Sequence, residues 1–136
     1  MTSKSFSKVI ASNPEHLPEV EEFVLSIARD NGISEDRFNA IALSVSEAVS
    51  NSMVHGNKLN PDKNVYINVS VNDKSFTIKF RDEGTGFNLA TVPDPTKPEN
   101  ILKDSGRGIH IIKSFVDDVR FNFTPTGTEI ILIFNL

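Results

Sequence analysis

Val65, Ile67, Val69 and Val71 alternate with Tyr66, Asn68, Ser70 and Asn72, and this period of two predicts a strand with one buried and one solvated face. Asn72-Asp73-Lys74 then reverses the chain. Phe76, Ile78 and Phe80, interleaved with Thr77, Lys79 and Arg81, supply a partner strand that ends on Asp82. The alternation returns near the C-terminal end with Val119, Phe121 and Phe123, a turn at Pro125-Thr126-Gly127, and Ile130, Leu132 and Phe134. Residues 5–11 are a candidate first strand. Between these segments the period changes. Asn13-Pro14-Glu15 reads as an N-cap, a proline at the first helical position and an early acid, and Leu17, Val20, Val24, Ile27 and Ala28 follow at helical spacing until Gly32. A second helix is expected from near Ser34, with Glu35 and Asp36 against its positive dipole end, to about His55, where Gly56 stops it. Residues 88–105 hold Pro93, Pro95 and Pro98 without sustained periodicity, the pattern of a long functional or disordered loop. Residues 106–115 read as a short helix with Ile109, Ile112 and Phe115 facing inward. The order strand-helix-helix-strand-strand-loop-helix-strand-strand predicts an α/β (α+β) two-layer sandwich. Its antiparallel-rich mixed sheet would carry helices on one face and the polar alternate residues on the other.

Composition narrows the function classes. A chain of 136 residues matches one domain, 1–136, able to bury about two-thirds of its unfolded surface. Its apolar runs, such as residues 130–134, fall well short of the ~20 residues that cross a bilayer, and the N-terminus is Ser/Lys-rich where a secretory signal would be apolar. With no cysteine, disulfides and thiolate chemistry are excluded, and three scattered histidines argue against a zinc site. A cytoplasmic protein is expected. The formal charge of −4, with dispersed lysines and arginines, argues against nucleic acid as a direct partner.

Candidate chemistry begins on the second helix. At ~100° per residue, Phe38, Ile41, Ala42, Val45, Val49 and Met53 make the stripe that packs on the sheet. The opposite face carries Ala40, Leu43 and Val54 around Glu47 and Asn51, where a solvated face would be charged. Glu47 and Asn51, four residues apart, point into the same space. They form either a pocket wall or a buried Glu satisfied by a neighbouring Arg or Lys.

Two glycine-rich turns extend the pattern. Asp82-Glu83-Gly84-Thr85-Gly86-Phe87 follows a strand directly, with a carboxylate able to accept from an amino group such as that of adenine, a charge-assisted bond worth ~1.5–3 kcal/mol. A tight turn capped by Asp82 is the alternative. Ser105-Gly106-Arg107-Gly108 opens a helix whose free N–H groups and dipole suit phosphate, although Gly-x-Gly also begins ordinary helices.

In this order and spacing the motifs resemble the GHKL or Bergerat-fold ATPases, the superfamily of gyrases, MutL and histidine kinases. Within it, the run from Ser46 to Asn57, with Gly106-Arg107-Gly108-Ile109 and Gly127-Thr128, is similar to the anti-sigma-factor serine kinases of the RsbW and SpoIIAB type. The resemblance covers nearly the whole chain. It implies Glu47 as general base, Asn51 as magnesium ligand and Asp82 as the adenine-selecting carboxylate. Gly84 and Gly86 would let the base approach the backbone, Gly106 and Gly108 would bring amides to the phosphates, Thr128 would join the nucleotide site, and residues 88–105 would form an ATP lid. It further implies ATP and Mg2+ as cofactors, a serine on a STAS-fold anti-anti-sigma protein as phosphoacceptor, a sigma factor as alternative partner, and a homodimer.

Arg107 has two readings, γ-phosphate contact or an exposed arginine at a helix start, and His55 likewise either approaches the nucleotide or caps its helix. Lys103 and Asp104 do not supply the arginine that the sporulation members lead one to expect before Gly106. Against the serine-kinase reading stands a nucleotide-regulated binding module without phosphoryl transfer; Glu47 favours the enzyme, because a pure binder needs no base. A histidine-kinase catalytic domain is expected to follow a helical dimerisation domain with a phosphoacceptor histidine and to lack the acid at 47. A gyrase-like or MutL-like ATPase is expected to draw a lysine from a second domain. The sequence matches neither.

Overall fold

The computed structural model of the protein describes residues 3–84 and 112–136. The expectations placed on Gly86, the 88–105 lid, Gly106, Arg107, Gly108 and Ile109 lie outside the described residues.

The alternating segments form a five-stranded sheet. Strand β1 (Lys4–Ala11) pairs with β2 (Asn64–Val71), β2 with β3 (Ser75–Arg81), and the C-terminal hairpin of β4 (Asp118–Thr124) and β5 (Gly127–Asn135) joins through β5, giving the order β1-β2-β3-β5-β4. All four described ladders are antiparallel. The register explains why the period of two is so clear. Phe6, Val69, Ile78, Leu132 and Val119 stand opposite one another in a row across all the strands. A one-residue slip of any strand would turn that row into water. Its three central members are fully buried, while those on the edge strands are partly covered.

Two helices cover this face, α1 (Leu17–Asp30) and α2 (Phe38–Asn51), each preceded by one 3-10 turn, Pro14–His16 and Glu35–Arg37. Asn13 caps the first start through a 3.0 Å bond from the Glu15 N–H, with Pro14 in the first turn as expected. Gly32 ends α1 at φ 77°, a left-handed conformation that costs glycine little. Val20, Val24, Ile27 and Ala28 of α1 and Ile41, Val45 and Val49 of α2 are buried against the sheet. Each large one contributes ~1.5–3 kcal/mol of transfer free energy. No described helix is long and apolar enough to cross a membrane.

Two expectations change. The second helix does not run as one α-helix to His55. After Asn51 it widens into a π turn, Ser52–Gly56, closed by a 2.8 Å bond from the Asn57 N–H to the Ser52 carbonyl. Lys58 and Leu59 follow at φ 55° and 57°, and the Leu59 N–H returns to the Met53 carbonyl at 2.7 Å. Such turns are uncommon overall but frequent at functional sites; here the wide turn brings Gly56 and Asn57 onto the end of β3. The second change is Phe115. Residues 112–115 are helical and Ile112 is buried, but Phe115 is 40% exposed, at the last helical position before the chain leaves for β4.

Candidate functional site

Asp82 leaves the end of β3 and is only 2% exposed. Its Oδ1 accepts from the Gly84 N–H at 2.9 Å and the Thr128 N–H at 3.0 Å, while its own N–H donates to the Thr128 carbonyl at 3.1 Å. Thr128, expected at the nucleotide site, is thus the residue through which β5 grips Asp82. No described group donates to Oδ2. That oxygen faces Gly56, where a Cβ would stand 2.0 Å away.

Gly84 and Gly127 complete a side-chain-free surround. A Cβ on Gly84 would lie 2.6 Å from the Gly56 carbonyl oxygen, and one on Gly127 would lie 2.3 Å from the Asp82 carbonyl oxygen. The close approach recorded at Gly84 is therefore to the protein's own backbone. Because the obstacle to a side chain at Gly127 is main chain on a paired strand end, it cannot swing aside. Gly127→Ala should lower stability by about 1–3 kcal/mol or more, the usual cost of overpacking. Denaturant unfolding checks this, and an unchanged midpoint would contradict it.

Burial raises the Asp82 pKa above its ordinary value; the Gly84 and Thr128 N–H bonds and the charges of Lys63 and Arg81 oppose the shift without cancelling it. Glu83 behaves oppositely. Its Oε1 accepts from the Tyr66 hydroxyl at 2.5 Å and its Oε2 from the Asn64 N–H at 2.7 Å, and these bonds hold its carboxyl below the usual range while raising the Tyr66 phenol. The Arg81 guanidinium lies 4.4 Å over the Tyr66 ring. Neighbours in sequence, the two acids differ in setting: Glu83 braces β2, whereas Asp82 Oδ2 accepts from no described group.

Glu47 and Asn51 are both half-buried on α2, one turn apart, with Leu43 and Val54 beside them 47% and 39% exposed. No described lysine or arginine forms an ion pair with Glu47, so the internally satisfied glutamate finds no support among the described residues. His55 is exposed, in the last turn of the π segment. Among the described residues no trio of His, Asp or Glu gathers into a metal cage. One neutral amide oxygen at Asn51 suits a magnesium ion that arrives on phosphate oxygens and keeps several waters.

Sequence reasoning missed Asn57 and the roles of Gly56 and Gly127. Asn57 is 1% exposed and accepts the Glu83 N–H at 2.7 Å. A polar residue just past a helix-ending glycine was the available signal.

Residues 10–134 match the family described as the histidine kinase-like ATPase domain. The chain belongs to this family. Membership makes it an ATP-binding domain of the GHKL type, as its motifs led one to expect. An anti-sigma F factor from Bacillus licheniformis is 40% identical over 100 residues, covering 70% of this chain and 67% of that protein. Among solved structures, that of the RsbU and RsbW domains of a Mycobacterium tuberculosis protein superposes with a TM-score of 0.70 over 96% of this chain at 14% identity. This chain spans 32% of that solved chain. The histidine kinase domain of a blue-light-activated kinase from Erythrobacter litoralis superposes with a TM-score of 0.58 at 16% identity, covering 93% of this chain and 62% of that one. Both likenesses bear on the fold, which is the histidine kinase-like ATPase fold.

Proposed function

We propose that this chain is an ATP-dependent protein serine kinase that also acts as an anti-sigma factor. It transfers the γ-phosphoryl group to a serine on a STAS-fold anti-anti-sigma protein and alternately holds a sigma factor. The observation that carries the reading is Glu47, the acid on the open face of α2 that no described cation neutralises, set one turn from Asn51. The 40% identity to a protein named anti-sigma F factor supports the regulatory half.

In this reading Asp82 Oδ2 accepts from the exocyclic amine of adenine in the glycine-walled notch. Asn51 would hold Mg2+, which would supply charge neutralisation to the phosphates. Glu47 takes the proton of the incoming serine hydroxyl as its oxygen bonds to the γ-phosphorus and the bond to the ADP oxygen breaks. Phosphoryl transfer asks mainly for such positioning, and a helix that holds the base and the metal ligand one turn apart provides it. The proposal includes a cytoplasmic location, shared with its sigma factor, and a homodimeric state.

Incubation with γ-labelled ATP and the STAS-domain partner tests the proposal. Label on a partner serine is the expected result. Capture of a sigma factor with no label on the STAS protein would overturn the kinase and leave a nucleotide-regulated binding module.

A further inference from the structure

Asn57 lies between two parts of the site that are far apart in sequence. Its Oδ1 accepts the Glu83 N–H at 2.7 Å, and its Nδ2 donates to Ser12 Oγ at 2.7 Å and to the Asn64 carbonyl at 3.0 Å. The Ser12 hydroxyl passes the chain on by donating to the Lys63 carbonyl at 2.7 Å. Asn57 and Ser12 are 1% and 3% exposed, so each of these bonds replaces water that cannot reach the groups, and an orphaned partner would cost its full desolvation.

What the carboxamide fixes is the loop that carries Asp82. Of the two amides after Asp82, that of Gly84 is taken by Asp82 Oδ1, and that of Glu83 is taken by Asn57. Asn57 comes within reach because the π turn, closed by its own N–H on Ser52, ends beside β3, with Gly56 pressed on the Asp82 carboxylate. We propose that Asn57 is a positioning residue for nucleotide recognition: through the Glu83 amide it holds Asp82 Oδ2 where a base amine can reach it. The inference rests on the nucleotide reading of the pocket. An amide is the group that serves here, because it donates and accepts at once; a carboxylate cannot donate to the Asn64 carbonyl, and an aliphatic side chain leaves the Glu83 N–H without its acceptor.

The test compares Asn57→Ala and Ser12→Ala with the parent chain by equilibrium titration with MgATP and MgITP, whose 6-oxo group replaces the adenine amine. Thermal melts run alongside. Asn57→Ala should bind ATP about tenfold more weakly, with its preference for ATP over ITP shrinking by a similar factor, because the lost interaction is at the base. Ser12→Ala removes a bond on the far side of Asn57. It should lower the melting temperature while keeping ATP affinity and preference within about twofold, since the Glu83 amide stays held. A parent-like ATP affinity and preference in Asn57→Ala would overturn the inference alone. Failure of the parent chain to bind ATP would overturn the nucleotide reading, and the inference with it. Should Asn57→Ala not fold, hydrogen exchange at the Glu83 amide of the parent decides: MgATP should slow it about tenfold or more by linkage, and an unchanged rate would overturn the proposal.

Discussion

Glu47→Gln is expected to bind MgATP within about threefold of the parent chain and to lower phosphoryl transfer by about 10²–10⁴-fold, the usual contribution of a positioned base. The substitution keeps volume and polarity at a half-buried position of α2, so the packing of Ile41, Val45 and Val49 on the sheet is undisturbed. It removes the negative charge and with it the capacity to take a proton. Single-turnover transfer to the STAS partner separates the two effects, because it reads the chemical step after ATP is already bound. Undiminished transfer would take the role of base away from Glu47.

Asp82→Asn is expected to weaken ATP binding by about tenfold or more, the worth of one charge-assisted bond in a water-poor site. It should also raise the stability of the nucleotide-free protein at neutral pH. The sign follows from the pKa. A carboxyl whose folded-state pKa is raised by burial contributes stability that is present below its unfolded pKa and lost as pH rises through the folded value. The ionised form of Asp82 is therefore the one that burdens the fold, and a neutral isostere that still accepts from Gly84 and Thr128 relieves it. ATP affinity of the parent should fall as pH drops through the raised Asp82 pKa, and Asp82→Asn should lack that dependence. A variant that lost both affinity and melting temperature would point to a structural carboxylate instead.

The sheet was legible because one of its faces is buried. Val65 to Val71 and Phe76 to Phe80 alternate without a break, and the register sets those residues opposite one another. The candidate acids were legible for the complementary reason: Glu47 interrupts a nearly uncharged helix, and Asp82 stands where a strand pattern gives way to glycines. The strand order, the π turn and the notch around Asp82 were not legible. Hydrophobic spacing does not distinguish a turn closed at i−5 from one closed at i−4 over so short a segment, so spacing alone predicts an α-helix to His55. The surround of Asp82 is built from contacts between residues far apart in the chain: Gly56 with Asp82, Asn57 with Glu83, and Thr128 with Asp82, the last two 26 and 46 positions apart. Gly56 and Gly127 each explain themselves locally, as a helix end and a hairpin turn. Only the fold brings both onto one carboxylate.

The proposed recognition of adenine by the Oδ2 of Asp82 is most directly tested by titrating the parent chain and Asp82→Asn with MgATP and MgITP under the same conditions. The parent should prefer ATP by about tenfold or more, and the preference should largely vanish in the variant, because the amine that distinguishes the two nucleotides meets the carboxylate only in the parent. Equal affinities for the two nucleotides in the parent, or a preference that survives in Asp82→Asn, would contradict the assignment.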